Sequence, residues 1–256
     1  MEALELINVD MLECKTLENE HYRVSFFIRR HPEKSVTEDS LGIFFIDDTR
    51  LVLAVADGFG GQRCGEVASR LAIEALKKKL GADKHLSLRE KICSAFEEAN
   101  QNILHLGVGA ASTLTVAELS NRKIRFYNAG DSSGMLVGAR GRLKISTIQH
   151  NLIGFGQQAG LIGSNTSAFR ARNNSVSNYL GSNALRIDTT AQKDVAKRDR
   201  TILVSDGILD NFDLFGQLVI KDGDKMCAEI GDAAAQAMHT ASGKPDDLSI
   251  LIVQQL

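Results

Sequence analysis

The order of the apolar runs constrains this chain most: strand-like segments come first, then two helical patterns, then strand-like segments again. Leu41–Ile46 and Leu51–Ala56 are separated by Asp47-Asp48-Thr49-Arg50, a polar spacer with the chemistry of a hairpin turn, and Tyr22–Ile28 precedes them as a further strand. From Gly65 to Leu80 the apolar residues Val67, Leu71, Ala75 and Leu76 recur at helical spacing. Lys77, Lys78, Lys79 and Gly81 suit the end of that helix, where cations meet the dipole and glycine caps the turn. Ser87-Leu-Arg-Glu90 is a capping-box pattern; it predicts a second helix with Ile92, Phe96, Ala99 and Ile103 buried and Gly107 as the stop. Ser112–Leu119, Lys123–Asn128, Gly134–Val137 and Leu143–Ile148 read as strands, and so do Thr201–Val204 and Leu248–Val253. A helix from about Asp224 to Thr240 falls between the last two. Grouped strands with helices bracketed between them argue against alternating βαβ units. They predict an α+β fold of antiparallel sheets covered by helices.

With 256 residues and no linker between two cores, the chain reads as one domain over residues 1–256. Its one irregular stretch is Asn151–Asn183, rich in Gly, Ser and Asn, which reads as a surface flap. Thirty basic against 32 acidic residues gives a net charge of −2, which lacks the electrostatic footprint of a nucleic-acid binder. The longest apolar runs fall far short of the ~18 residues of a membrane helix, and the acidic N-terminus does not resemble a secretory signal. Four cysteines without a CxxC pair point to a reducing cytoplasm, and no membrane partner is expected.

The residues that carry chemistry are carboxylates at strand ends. Asp57 follows Leu-Val-Leu-Ala-Val-Ala and precedes Gly58-Phe-Gly-Gly61; Asp206 follows Thr-Ile-Leu-Val-Ser and precedes Gly207. Asp246 stands before the last strand in Lys244-Pro-Asp-Asp-Leu-Ser249, and Glu38-Asp39 precedes Leu41–Ile46. Hard divalent cations need several oxygen ligands, and carboxylates on rigid strand ends supply them with little slack. Any one of these is ordinary turn chemistry; Asp222-Gly223 also follows an apolar run and carries no function. Position 63 is Arg, which breaks a GxGxxG reading, and no P-loop pattern occurs.

Together the blocks carry more weight. Thr37-Glu-Asp-Ser40, Ala56-Asp-Gly-Phe-Gly-Gly61, Ala111-Ser-Thr-Leu-Thr115, Asn128-Ala-Gly-Asp-Ser132, Ser205-Asp-Gly-Ile-Leu-Asp210 and Asp246-Asp-Leu-Ser249 resemble, in order, the motifs of the metal-dependent serine/threonine protein phosphatases, the PPM or type 2C group in its bacterial form. The resemblance implies a four-layer α-β-β-α sandwich and two Mn²⁺ or Mg²⁺ ions, with a third, weaker ion in bacterial members. A water bridging two ions would attack the phosphorus of phosphoserine or phosphothreonine in a protein. By that analogy Asp57 bridges both metals, Asp206 and Asp246 complete the first site, and the Gly58 carbonyl binds the second. Glu38 holds its waters with Asp39 behind, and Asp131 supports the third ion.

The departures from the family pattern are specific. Phe59 replaces a histidine found in many eukaryotic members. Lys34 takes the place of a phosphate-holding arginine; it keeps the charge and loses the bidentate fork. Ser133 replaces the arginine after Gly-Asp-Ser. Lys34 and Arg63 are expected to steer the phosphate. The expected partner is a phosphorylated protein from a serine/threonine kinase pathway or a partner-switching regulator, with the enzyme itself a monomer. The alternative is a metal-binding pseudo-phosphatase that serves as a protein-binding regulatory module.

Overall fold

The computed structural model describes residues 1–59, 64–82, 85–161, 175–212, 214, 223–240 and 243–256. Its strands form two sheets in which every pairing is antiparallel. The first is built on β1 (Glu2–Ile7), β4 (Asp39–Asp47), β5 (Arg50–Phe59), β7 (Leu114–Ser120), β8 (Lys123–Ala129) and β11 (Asp188–Thr189), in that spatial order. Two short strands extend it: β6 (Ala111–Ser112) on β5 and β12 (Lys193–Asp194) on β8. The second sheet runs β10 (Leu143–Ser146), β9 (Ser133–Val137), β13 (Arg200–Val204), β14 (Leu248–Gln255), β3 (Tyr22–Arg29) and β2 (Lys15–Glu18).

Strand alternation divides the interior into two cores, because successive side chains point to opposite faces. Along β5, Leu51, Leu53 and Val55 enter the core between the sheets. Val52, Ala54 and Ala56 enter a second core beneath α1 (Gly65–Gly81) and α2 (Leu88–His105). Small residues dominate that contact (Ala68, Ala72, Ala95 and Ala99), with Ile73, Leu76, Ile92 and Phe96 filling between them. On the other side α4 (Asp206–Asn211) and α5 (Gly223–Ala237) cover the second sheet through Ile208, Leu209, Met226 and Ile230. The layers are therefore helix, sheet, sheet, helix.

The capping box at α2 forms as the sequence predicts: Ser87 Oγ accepts the Glu90 amide at 3.3 Å, and Glu90 Oε2 accepts the Ser87 amide at 2.8 Å. Other expectations change. Leu143–Ile148 is strand only over Leu143–Ser146, because Thr147 turns inward, donating its amide to the Gly134 carbonyl and accepting the Gly134 amide at Oγ1. Asp206 does not close a strand; it is the first residue of α4. Edge strands β1 and β2 have no counterpart in the sequence reading. Of the 151–183 stretch, α3 (Leu152–Gln158) is helical, residues 162–174 lie outside the described residues, and Leu180 is buried and paired with Ser112 in both backbone directions. Among the described residues no helix is long and apolar enough to cross a membrane.

Candidate metal centre

The alternation that builds the inter-sheet core also builds the site. Leu41 and Ile43 on β4 and Leu51, Leu53 and Val55 on β5 face the second sheet. Two residues further toward the sandwich edge, the same face presents Asp39 and Asp57, which are directly paired across the two strands. The second sheet brings its own carboxylates to that edge: Asp206 follows β13 and Asp246 precedes β14, and β13 and β14 are neighbours.

The backbone of Asp57 is fixed from three directions. Its amide donates to Thr113 Oγ1 at 3.0 Å, and its carbonyl accepts the Thr113 amide at 2.8 Å and Ser112 Oγ at 3.1 Å. Thr113 Oγ1 also lies 2.8 Å from Ser132 Oγ, which couples β5 to the turn that carries Asp131. That turn requires Gly130 at φ +122°, with the Thr113 side chain where a Cβ would stand. Asn128 donates to the Gly130 and Ile148 carbonyls, and Gln149 Nε2 donates to the Asp131 carbonyl at 2.7 Å. The imidazole of His150 accepts the Gly130 amide at 3.0 Å and stands 3.1 Å from Asp188 Oδ2. Burial pulls its pKa down despite Asp188, so it serves as a neutral brace.

At Gly58 the chain passes so close to the start of α1 that a Cβ would lie 1.9 Å from the Gly65 carbonyl oxygen. The Gly58 amide donates to the Glu38 carbonyl at 3.1 Å, which aligns β5 beside Glu38. Asp247 ties the 31–38 segment to β14: it accepts the His31 amide at 2.5 Å, the Glu38 amide at 2.8 Å and Lys34 Nζ at 3.3 Å. Lys34 also forms a short ion pair with Glu38. Phe59 packs edge-on against Tyr179 with ring centroids 5.4 Å apart. Arg63 lies outside the described residues.

The electrostatics are those of crowded anions. Asp57 is raised well above the carboxylate range by burial and then by Asp206, Asp39 and Asp246. Asp39 is raised by burial and then by Asp247. Burial and Asp206 push Asp131 up to about 7, and the same two causes push Asp246 up to about 6 against the relief of Lys244 and Lys34. Both carboxylate oxygens of Asp39 are buried and make no hydrogen bond of good geometry, with only partial relief from the hydroxyls of Ser249 and Ser205. Such a set of hard oxygen donors, crowded and partly unpartnered, suits a divalent cation such as Mn²⁺ or Mg²⁺. Among the described residues no three His, Cys, Asp or Glu side chains are already arranged around one common metal position.

Residues 30–242 match the family model for protein phosphatase 2C, most of the chain's length. The chain belongs to the protein phosphatase 2C family. A serine/threonine phosphatase, stp, from Listeria welshimeri is 26% identical over 239 residues, covering 89% of this chain and 92% of the relative. The crystal structure of the phosphatase Stp1 from Staphylococcus aureus superposes with a TM-score of 0.77 at 19% identity, covering 97% of this chain and 99% of that one. The catalytic domain of the phosphatase PstP, crystallised with two manganese ions, gives a TM-score of 0.73 at 22% identity, with 92% and 99% covered. At these identities the structural likeness is one of fold.

Within this 2C-family chain the structure gathers Glu38, Asp39, Asp57, Gly58, Asp206 and Asp246 at one edge of the sandwich. Asp131 stands close enough to Asp206 to be raised by its charge. Sequence reasoning missed Asp247, which organises the Lys34 segment, and the pair Asp210 and Lys244, which join Asp206 and Asp246 through ion pairs. All three lie inside motifs that were read for other members. His150 stands out in the sequence only as a histidine at the mouth of the irregular segment, with no role assigned, and Asn151 was missed; Asn151 Nδ2 reaches Asp131 Oδ2 at 3.3 Å.

Proposed function

We propose that this chain hydrolyses phosphoserine and phosphothreonine in protein substrates as a metal-dependent phosphatase, with Asp57, Asp206, Asp246, Glu38 and the Gly58 carbonyl holding two Mn²⁺ or Mg²⁺ ions. The observation that carries the reading is the meeting of Asp39, Asp57, Asp206 and Asp246 at one sandwich edge in a chain of this family. When bound, two such ions supply Lewis acidity, which activates water and offsets charge on the phosphoryl oxygens.

The chain supplies position and field. Thr113 and Ser112 hold the backbone of Asp57 at the end of β5, which sets where its carboxylate would bind an ion. Asp39, buried behind Asp57 on β4, adds negative potential that favours cation capture. Asp131, held by Asn151 and the Gly130 turn, stands ready for a third ion. Lys34 forms a cationic lip beside Glu38 and Asp247, where a phosphate dianion would be drawn in. The client is a phosphoprotein of a serine/threonine kinase pathway in the cytoplasm, a compartment in keeping with four scattered cysteines that form no CxxC pair.

The test is hydrolysis of a phosphothreonine peptide with added Mn²⁺, with chelator, and by Asp206→Asn. Turnover that needs Mn²⁺ and falls by about two orders of magnitude or more in Asp206→Asn is expected. A folded protein that binds Mn²⁺ and leaves the peptide intact would instead be a regulatory module on the same fold.

A further inference from the structure

Lys244 has no role in the reading above, yet its ammonium lies at the centre of the acidic cluster. Nζ is 2.8 Å from Asp210 Oδ2 and 3.3 Å from both Asp206 Oδ2 and Asp246 Oδ2. The placement is built by the backbone. The Lys244 amide donates to Asn211 Oδ1 at 3.0 Å, and Asn211 Nδ2 donates to the Lys244 carbonyl at 2.7 Å. Asn211 also holds the Gly207 carbonyl at 2.9 Å, so one side chain registers Lys244 against the helix that begins with Asp206. Pro245 follows and restricts the chain between the lysine and Asp246.

Two of the three carboxylates that hold this ammonium are ones assigned above to the divalent ion. The same outer oxygens cannot serve both cations at full strength, and like charges about 4 Å apart in a half-buried site repel strongly. The third carboxylate, Asp210, makes the shortest of the three contacts and is not assigned to the metal. We propose that Lys244 is a tethered counter-ion of the metal centre: it neutralises Asp206 and Asp246 until a divalent ion replaces it there, then withdraws to Asp210. The lysine thereby keeps a crowded anionic site stable before loading and sets how tightly the metal is held. The proposal rests on the metal-dependent reading.

The test is Mn²⁺ binding by calorimetry, together with thermal unfolding in chelator and in saturating Mn²⁺, for the wild type, Lys244→Met, Lys244→Gln and Lys244→Arg. Because Asn211 grips the backbone of residue 244, the clamp survives all three substitutions. Lys244→Met and Lys244→Gln should bind Mn²⁺ about tenfold or more tightly than the wild type, and Lys244→Arg within about threefold of it. In chelator the two neutral variants should melt below the wild type, and Mn²⁺ should raise their melting temperature by more than it raises that of the wild type. Equal or weaker Mn²⁺ binding by the neutral variants overturns the proposal, as does equal tightening by Lys244→Arg, while the metal centre itself stands. If the wild type binds no Mn²⁺ at all, the metal-centre assignment falls and this inference falls with it.

Discussion

Asp39→Asn separates folding from function at this site. Asp39 is 1% exposed, its carboxylate oxygens make no hydrogen bond of good geometry, and burial followed by the charge of Asp247 raises its pKa against the partial relief of the Ser249 and Ser205 hydroxyls. A carboxylate with an ordinary value of 3.8 can escape an unfavourable charged state by taking up a proton. At pH 7 that escape costs at most about 1.4 kcal/mol for each of roughly three pH units, a ceiling of about 4 kcal/mol. Asparagine avoids this cost but leaves an amide with the same poor partners, worth about 1–3 kcal/mol. The expected net gain in chelator at pH 7 is about 1–3 kcal/mol, or a melting temperature higher by about 3–10 °C for a chain of this size. The sign with pH follows from the raised pKa. Below about pH 4 aspartate is protonated folded and unfolded alike; as pH rises, only the unfolded chain releases its proton freely and the wild type loses stability. The variant should therefore be the less stable form at pH 4, by up to about 1–3 kcal/mol for its amide, and should overtake the wild type as pH rises towards neutrality. In Mn²⁺ the order should reverse, because the lost charge weakens cation binding. Thermal unfolding across pH, with chelator and with Mn²⁺, measures all of this. A variant that is less stable than the wild type at pH 7 in chelator, or whose gain does not change with pH, would refute the account of Asp39 as a strained anion kept for the metal.

Two further substitutions probe the scaffold. Gly58→Ala puts a Cβ 1.9 Å from the Gly65 carbonyl oxygen and 2.9 Å from that of Glu38, both backbone atoms. It should cost about 3 kcal/mol and weaken Mn²⁺ binding, as read by thermal unfolding and calorimetry; an unchanged melting temperature would mean that the approach of α1 to β5 is not fixed. Ser87→Ala removes the acceptor for the Glu90 amide, far from the carboxylates, and should lower the melting temperature by about 2–4 °C with Mn²⁺ affinity unchanged.

Which features of the chain were legible in its sequence depends on how far apart their causes lie. The β4–β5 hairpin, the capping box of α2 and the two-residue alternation that separates the cores are written within a few neighbouring positions. Six ordered blocks were enough to suggest the family, because metal-binding carboxylates must sit on rigid elements with glycine beside them. The edge strands β1 and β2 were not legible, since an edge strand of mixed polarity such as Glu2–Ile7 is recruited by the partner it pairs with. The structure also turned Asp206 from a strand end into the start of a helix.

The sequence by itself determined that this chain builds antiparallel sheets covered by helices and that its carboxylates cluster in short glycine-bearing blocks beside strands. Those properties follow from local periodicity and from residue type. Only the tertiary structure decided that Asp39 and Asp57 face each other across two strands, that Asp247 binds the segment of Lys34, and that the ammonium of Lys244 lies between Asp206, Asp210 and Asp246. Asp39 and Asp57 are 18 positions apart, and Lys34 and Asp247 are 213 apart. Such charges come together only when strands pair in register and the segments at their ends fold against one another, and the repulsion and pairing that result exist only there.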